Sequence, residues 1–111
     1  MPIQSPFPIR LKEARLNKGL TQVQLGVRIG MDENSASARM NQYEKGKHAP
    51  DYDTMKRMAD ELGVPVAYFY CESSVDAELV KVISHLSDDE KVAMLERLLN
   101  AKPESNAQFI L

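Results

Sequence analysis

Along most of this chain apolar residues recur at intervals of three and four, the spacing of one helical face, and no segment alternates as a strand would. From Ile9 to Lys18 there is neither Gly nor Pro, and Leu11, Ala14 and Arg15 stand at i, i+3 and i+4; this predicts a first helix, closed by Gly19. Thr21 is a natural N-cap for a second helix, Gln22 to Ile29, which has Leu25 and Ile29 one turn apart and Gly30 at its end. A third helix runs to Glu44 or Lys45 with Met40 and Tyr43 pointing inward, and Gly46 stops it. Asp53 or Thr54 caps a fourth, whose stripe is Met55, Met58, Ala59 and Leu62, with Gly63 behind it. Pro65, at a first helical position, opens a short fifth over "PVAYFY". Two more helices follow. One carries Leu79, Val82, Ile83 and Leu86 on one side; the other starts at a capping box, Ser87 to Glu90, carries Val92, Leu95, Leu98 and Leu99, and ends at Pro103.

The pattern implies an all-α fold, five helices with two additional C-terminal ones. Pro2, Pro6 and Pro8 make residues 1–8 an extended arm. Residues 9–72 form the main domain, 73–103 a helical hairpin and candidate dimerisation element, and 104–111 a loose tail.

Composition narrows the class. A chain of 111 residues is ordinarily one domain with a modest core. No apolar run approaches the roughly 18 residues of a membrane span, and "MPIQSPFPIR" lacks the basic start and apolar block of a secretory signal. Cys71 is alone, so neither an internal disulfide nor a cysteine zinc site is expected. These readings point to a cytoplasmic protein. Charge is divided unevenly: residues 1–50 hold eight Lys/Arg against four Asp/Glu, a net +4, and residues 51–111 hold six against twelve, a net −6. Such a split suits an anionic partner on the first half.

The second and third helices carry the candidate chemistry. Two short helices cross closely only where a small residue lies between them, and Gly26 stands at that point; Gly30 lets the chain turn. The third helix then exposes Ser37, Arg39, Asn41 and Gln42. Asn and Gln pair bidentately with adenine edges, Arg with guanine, and Ser adapts to either. Gln22 opens the second helix, where a phosphate is readily held, and Lys45 and Lys47 flank Gly46 as further backbone contacts.

From Ile9 to Tyr70 the sequence resembles the Cro/repressor-type (XRE-like) helix-turn-helix family, whose lambda-repressor-like domains bind DNA in phage and bacterial regulators. The resemblance rests on Arg15, Gly19-Leu20-Thr21-Gln22, Leu25, Gly30, Tyr43-Glu44-x-Gly46, Pro50 and Leu62-Gly63-Val64-Pro65. It implies a sequence-specific transcriptional regulator, a repressor, that reads double-stranded DNA as a homodimer. It places base contacts on Ser37, Ala38, Arg39 and Gln42, with Asn41 beside them, and a phosphate contact on Gln22. It also implies a structural ion pair between Arg15 and Glu44. The competing class is a protein-interaction module, antitoxin-like or a regulatory partner, that keeps this fold and has lost DNA.

The chain departs from the family pattern in one place. In the family the turn glycine and the inward residue of the third helix are six apart; Gly30 and Met40 are ten apart. The four extra residues amount to about one helical turn. Either Met31–Asn34 bulges and Ser35 caps a helix of normal length, or the helix begins early at Asp32. Cap chemistry at Asn34-Ser35 favours the bulge.

Other chemistry is sparse. His48 lies in a loop and meets solvent. His85 near Asp88 and Asp89 is explained by a helix end and the capping box rather than by a metal. Cys71 ends "AYFYC" as a half-buried thiol. The sequence holds no nucleophilic triad, P-loop or dinucleotide glycine motif, so neither an enzyme nor a cofactor is expected, and the roughly 40 residues past the reader leave little room for an effector domain.

Overall fold

A computed structural model describes residues 4–101 of the chain. It is all-helical: α1 (Phe7–Asn17), α2 (Gln22–Arg28), α3 (Glu33–Glu44), α4 (Tyr52–Leu62), a short 3-10 helix (Val66–Tyr70), α5 (Ser74–Ser84) and α6 (Asp88–Ala101). No helix among the described residues is long and apolar enough to cross a membrane.

Most boundaries follow local signals. Thr21 and Gln24 form a reciprocal capping box at the start of α2. Asp51, two residues ahead of Asp53 and three ahead of Thr54, which the sequence suggests, caps α4 by accepting from the Thr54 amide at 2.8 Å. Ser73 caps α5. Gly46 and Gly63 end α3 and α4 in the left-handed conformation, with φ of 74° and 70°; at Gly46 the Lys47 amide reaches back to the Gln42 carbonyl, which closes the last turn.

Four expectations need correction. The arm does not extend through residue 8: α1 begins at Phe7, because proline is well tolerated in a first turn, where its missing N–H has no helical partner in any case. Phe7 is then buried and packs edge-to-face on Phe69 with ring centroids 5.0 Å apart. The fifth helix is a 3-10 turn rather than an α-helix. The loop before α3 does not bulge; α3 starts one turn early, capped by the Asp32 carboxylate, which accepts from the Asn34 amide at 3.0 Å. The Met31 amide bonds the Gly26 carbonyl and its side chain is buried, so the turn closes tightly and the four extra residues enter the helix. Finally, the C-terminal helices do not pack along each other as a hairpin. α5 docks on the body through Ala77 and Val80, and its end is held by His85, whose Nε2 lies 2.8 Å from the Gly63 carbonyl. Among the described residues, α6 buries none of its own and packs along no other helix. The Pro103 stop and the 104–111 tail lie outside the described residues.

The core joins Phe7, Leu11 and Ala14 of α1 to Leu25, Ala36, Met40, Met58, Ala59, Leu62, Tyr68 and Phe69. Beside it, Arg10 is buried and ties α1 to the point where α5 leaves the body. Its Nε donates to the Cys71 carbonyl at 2.8 Å and Nη2 to the Glu72 carbonyl at 3.2 Å, while Nη1 pairs with Glu13. The Tyr68 hydroxyl donates to the same Glu13 carboxylate. Burial pushes the Glu13 carboxyl up, but the bonds from Tyr68 and Arg10, and the Arg10 charge, outweigh it and leave it below its ordinary value.

Candidate nucleic-acid interface

The geometry of the α2–α3 pair follows from one missing side chain. A Cβ on Gly26 would lie 2.7 Å from the Cβ of Ala36 and 3.1 Å from the Met31 sulfur, closer than atoms pack. Glycine facing alanine lets the two helices touch, and Gly30, at φ 98°, reverses the chain between them. On α3 the buried residues are Ala36 and Met40, with Tyr43 packed against the core. The opposite surface is free: Asn34, Ser37, Ala38, Arg39, Asn41, Gln42 and Lys45 are all exposed.

Gln22 joins the start of α2 to this surface. Its carboxamide accepts from Ser37 Oγ at 3.3 Å and donates to Asn41 Oδ1 at 3.4 Å and Glu44 Oε1 at 3.2 Å. Glu44 is itself clamped by Arg15, with Nε 2.5 Å and Nη2 3.0 Å from the two carboxylate oxygens; Arg15 Nη1 also donates to the Leu20 carbonyl at 2.8 Å. Both charged side chains are almost wholly buried. Bidentate geometry of this kind fixes orientation as well as distance, so α1, the α1–α2 turn, α2 and α3 are locked around one carboxylate.

Of the residues expected on bases, the fold gathers Ser37 and Asn41 at Gln22, while Ala38 is exposed on the outward face of α3. Gln42 follows on the next flank, one turn from Ala38. Arg39 is not brought to the same edge. It stands two residues from both Ser37 and Asn41, about 200° round the helix from each. Of the residues expected on phosphate, Lys45 continues the outward line of α3, Lys47 is exposed just past Gly46, and the Gln22 side chain is already held by α3.

Two candidates escaped the sequence reading. Lys12, on α1, lines a recess with Arg15, Gln22, Asn41, Glu44 and Lys45. The sequence separates it widely from that recess; the packing of α1 on α3, pinned by the Arg15–Glu44 clamp, brings it there. Asn34 falls in the loop that the sequence suggests; with α3 starting early it stands one turn ahead of Ala38 on the exposed side. The resulting surface is polar and basic, with neutral amides in the middle and lysines at one end. It can donate and accept along base edges and hold phosphates at its border.

Comparison with known proteins agrees with this geometry. A helix-turn-helix family model matches residues 11–69. The cryptic phage CTXphi transcriptional repressor RstR of Vibrio cholerae is 29% identical over 107 residues, covering 95% of this chain and 83% of the relative. The crystal structure of the transcriptional regulator BswR superposes with a TM-score of 0.76 at 46% identity, covering 86% of this chain and 97% of the other. With the α2–α3 crossing at Gly26 and the exposed polar face of α3, these matches make the chain a member of the Cro/repressor-type helix-turn-helix family, a DNA-binding transcriptional regulator.

Proposed function

We propose that the protein is a repressor that binds a specific operator as a homodimer, with α3 in the major groove. The observation that carries this reading is the exposed face of α3, where Ser37 and Asn41 are held by Gln22, Ala38 is exposed, and lysines form the border. In it, Asn41 pairs with an adenine edge, Ser37 and Ala38 contact neighbouring bases, and Gln42 and Arg39 work from the far flank. Lys12, Gln22, Lys45 and Lys47 lie along the phosphate wall.

The homodimer is supported by α5 and α6. Val75, Leu79 and Val82 of α5 and Val92, Leu95 and Leu98 of α6 are each at least half exposed. A 14-residue helix with no buried residue is marginal alone, since isolated helices of roughly 12–15 residues barely hold in water. A second copy would cover both faces symmetrically and set two readers on half-sites about 34 Å apart.

Selection from a random duplex library, followed by titration of affinity against salt, tests the reading. The expected result is an inverted repeat, with log affinity falling by about 0.9 per phosphate neutralised for each decade of salt. Asn41→Ala should relax one base position and weaken the chosen site by ~1–3 kcal/mol. Lys47→Ala should weaken all sequences alike and flatten the salt slope by about one phosphate. A folded wild-type protein that enriches no sequence at low salt would instead point to a protein partner.

A further inference from the structure

Resting on that reading, we infer that Asn34 is a second adenine-reading side chain, placed on the groove by the additional turn of α3, and that the operator half-site therefore carries two A·T pairs about three base pairs apart. The cap and the spacing together lead there. Because Asp32 rather than Ser35 caps the helix, Asn34 is helical and exposed. It stands at i−4 from Ala38 and i−7 from Asn41, and Lys45 follows at i+11. Residues at those intervals share one face, so Asn34, Ala38, Asn41 and Lys45 form a single line opposite buried Ala36 and Met40.

The acids of the first turn leave this line clear. Asp32 is occupied with the Asn34 amide, and Glu33, one residue earlier than Asn34, points about 100° away. Asn34 is thus the member of that turn directed outward, with a neutral amide where an acid would be repelled by phosphate. Seven residues of helix rise about 10.5 Å, close to three base-pair steps of about 3.4 Å. An amide at each end suits N6 and N7 of an adenine, and Ala38 between them suits a thymine methyl group.

The test uses the full-length protein. The wild type and the Asn34→Ala and Asn41→Ala variants are each put through selection from a random duplex library. Affinities are then measured on the wild-type site and on the same site with 7-deazaadenine, which lacks the N7 acceptor, at the assigned position. Alanine at an exposed helical position favours the helix, so Asn34→Ala should keep the helical signal and melting midpoint of the wild type. The expected wild-type motif has two adenines about three positions apart. Asn34→Ala should lose preference at one and Asn41→Ala at the other, each with a roughly 5- to 150-fold loss on the wild-type site. The deaza base should weaken the wild type and have no further effect on Asn34→Ala. An Asn34→Ala motif identical to the wild-type one overturns the inference and leaves DNA reading intact. So does equal weakening on every sequence, which would make Asn34 a backbone contact. Absence of any wild-type motif overturns this inference together with the reading beneath it.

Discussion

Glu44 shows how much a single side chain organises in this domain. It receives two bonds from Arg15 and one from Gln22 while almost wholly buried. Removing one partner of such a pair leaves a charge without compensation, a loss of about 3–5 kcal/mol. Arg15→Ala should therefore lower the unfolding free energy by about that much in a urea titration, and a change below about 1 kcal/mol would show the pair to be dispensable. Glu13 is the second carboxylate of consequence, and its effect depends on pH. Its carboxyl is held below the ordinary value of 4.5, so protons bind more weakly in the folded state than in the unfolded one. The bonds from Arg10 and Tyr68 then contribute stability that is fully present above pH ~4.5 and lost as pH falls through the lowered value. Glu13→Gln should reduce stability at neutral pH and shrink the difference between pH 7 and pH 3, as read from melting midpoints. An unchanged difference would assign the acid sensitivity to other groups.

For the helices, the decisive feature is the approach of α2 to α3. At Gly26 there is no room for even one methyl group, since its neighbour is the Ala36 side chain, which has no rotamer to give way. Gly26→Ala should destabilise by ~1–3 kcal/mol, the usual cost of overpacking, despite the better helix propensity of alanine. It should also weaken operator binding beyond the loss of folded protein, because α3 would be displaced from Gln22. A variant as stable as the wild type, with unchanged affinity, would mean the helices can separate without consequence. The same pair shows where local reasoning stops. Both Asp32 and Ser35 are good caps by chemistry. The choice between them fell to Met31, whose burial and backbone bond to Gly26 hold the turn short and start the helix at once.

For the whole molecule, α6 poses the question of assembly. It presents Val92, Leu95 and Leu98 to solvent, as α5 presents Val75, Leu79 and Val82. Truncation after residue 72 would also remove Ala77 and Val80 from the core, so substitutions in the intact chain test the interface more cleanly. Leu79→Glu with Leu98→Glu should turn a dimer into a monomer by light scattering while the helical signal persists. It should lower affinity for a two-half-site operator far more than for a single half-site. A wild type that is already monomeric at binding concentrations would remove the dimer from the proposal.

The sequence by itself determined the helical class, most of the cap and stop residues, Gly26 at the crossing, and the resemblance that implied the Arg15–Glu44 pair. All of these depend on residues close in the chain or on a motif with fixed spacing, where period, cap chemistry and glycine conformation act locally. Tertiary structure alone decided the start of α3, the placing of Lys12 beside Gln22 and Asn41, and the docking of α5, but not of α6, on the body. Each of these depends on which segment finds a distant part of the chain to bury against, as Met31 and Ala77 do and α6 does not. Spacing along the sequence carries no record of that competition.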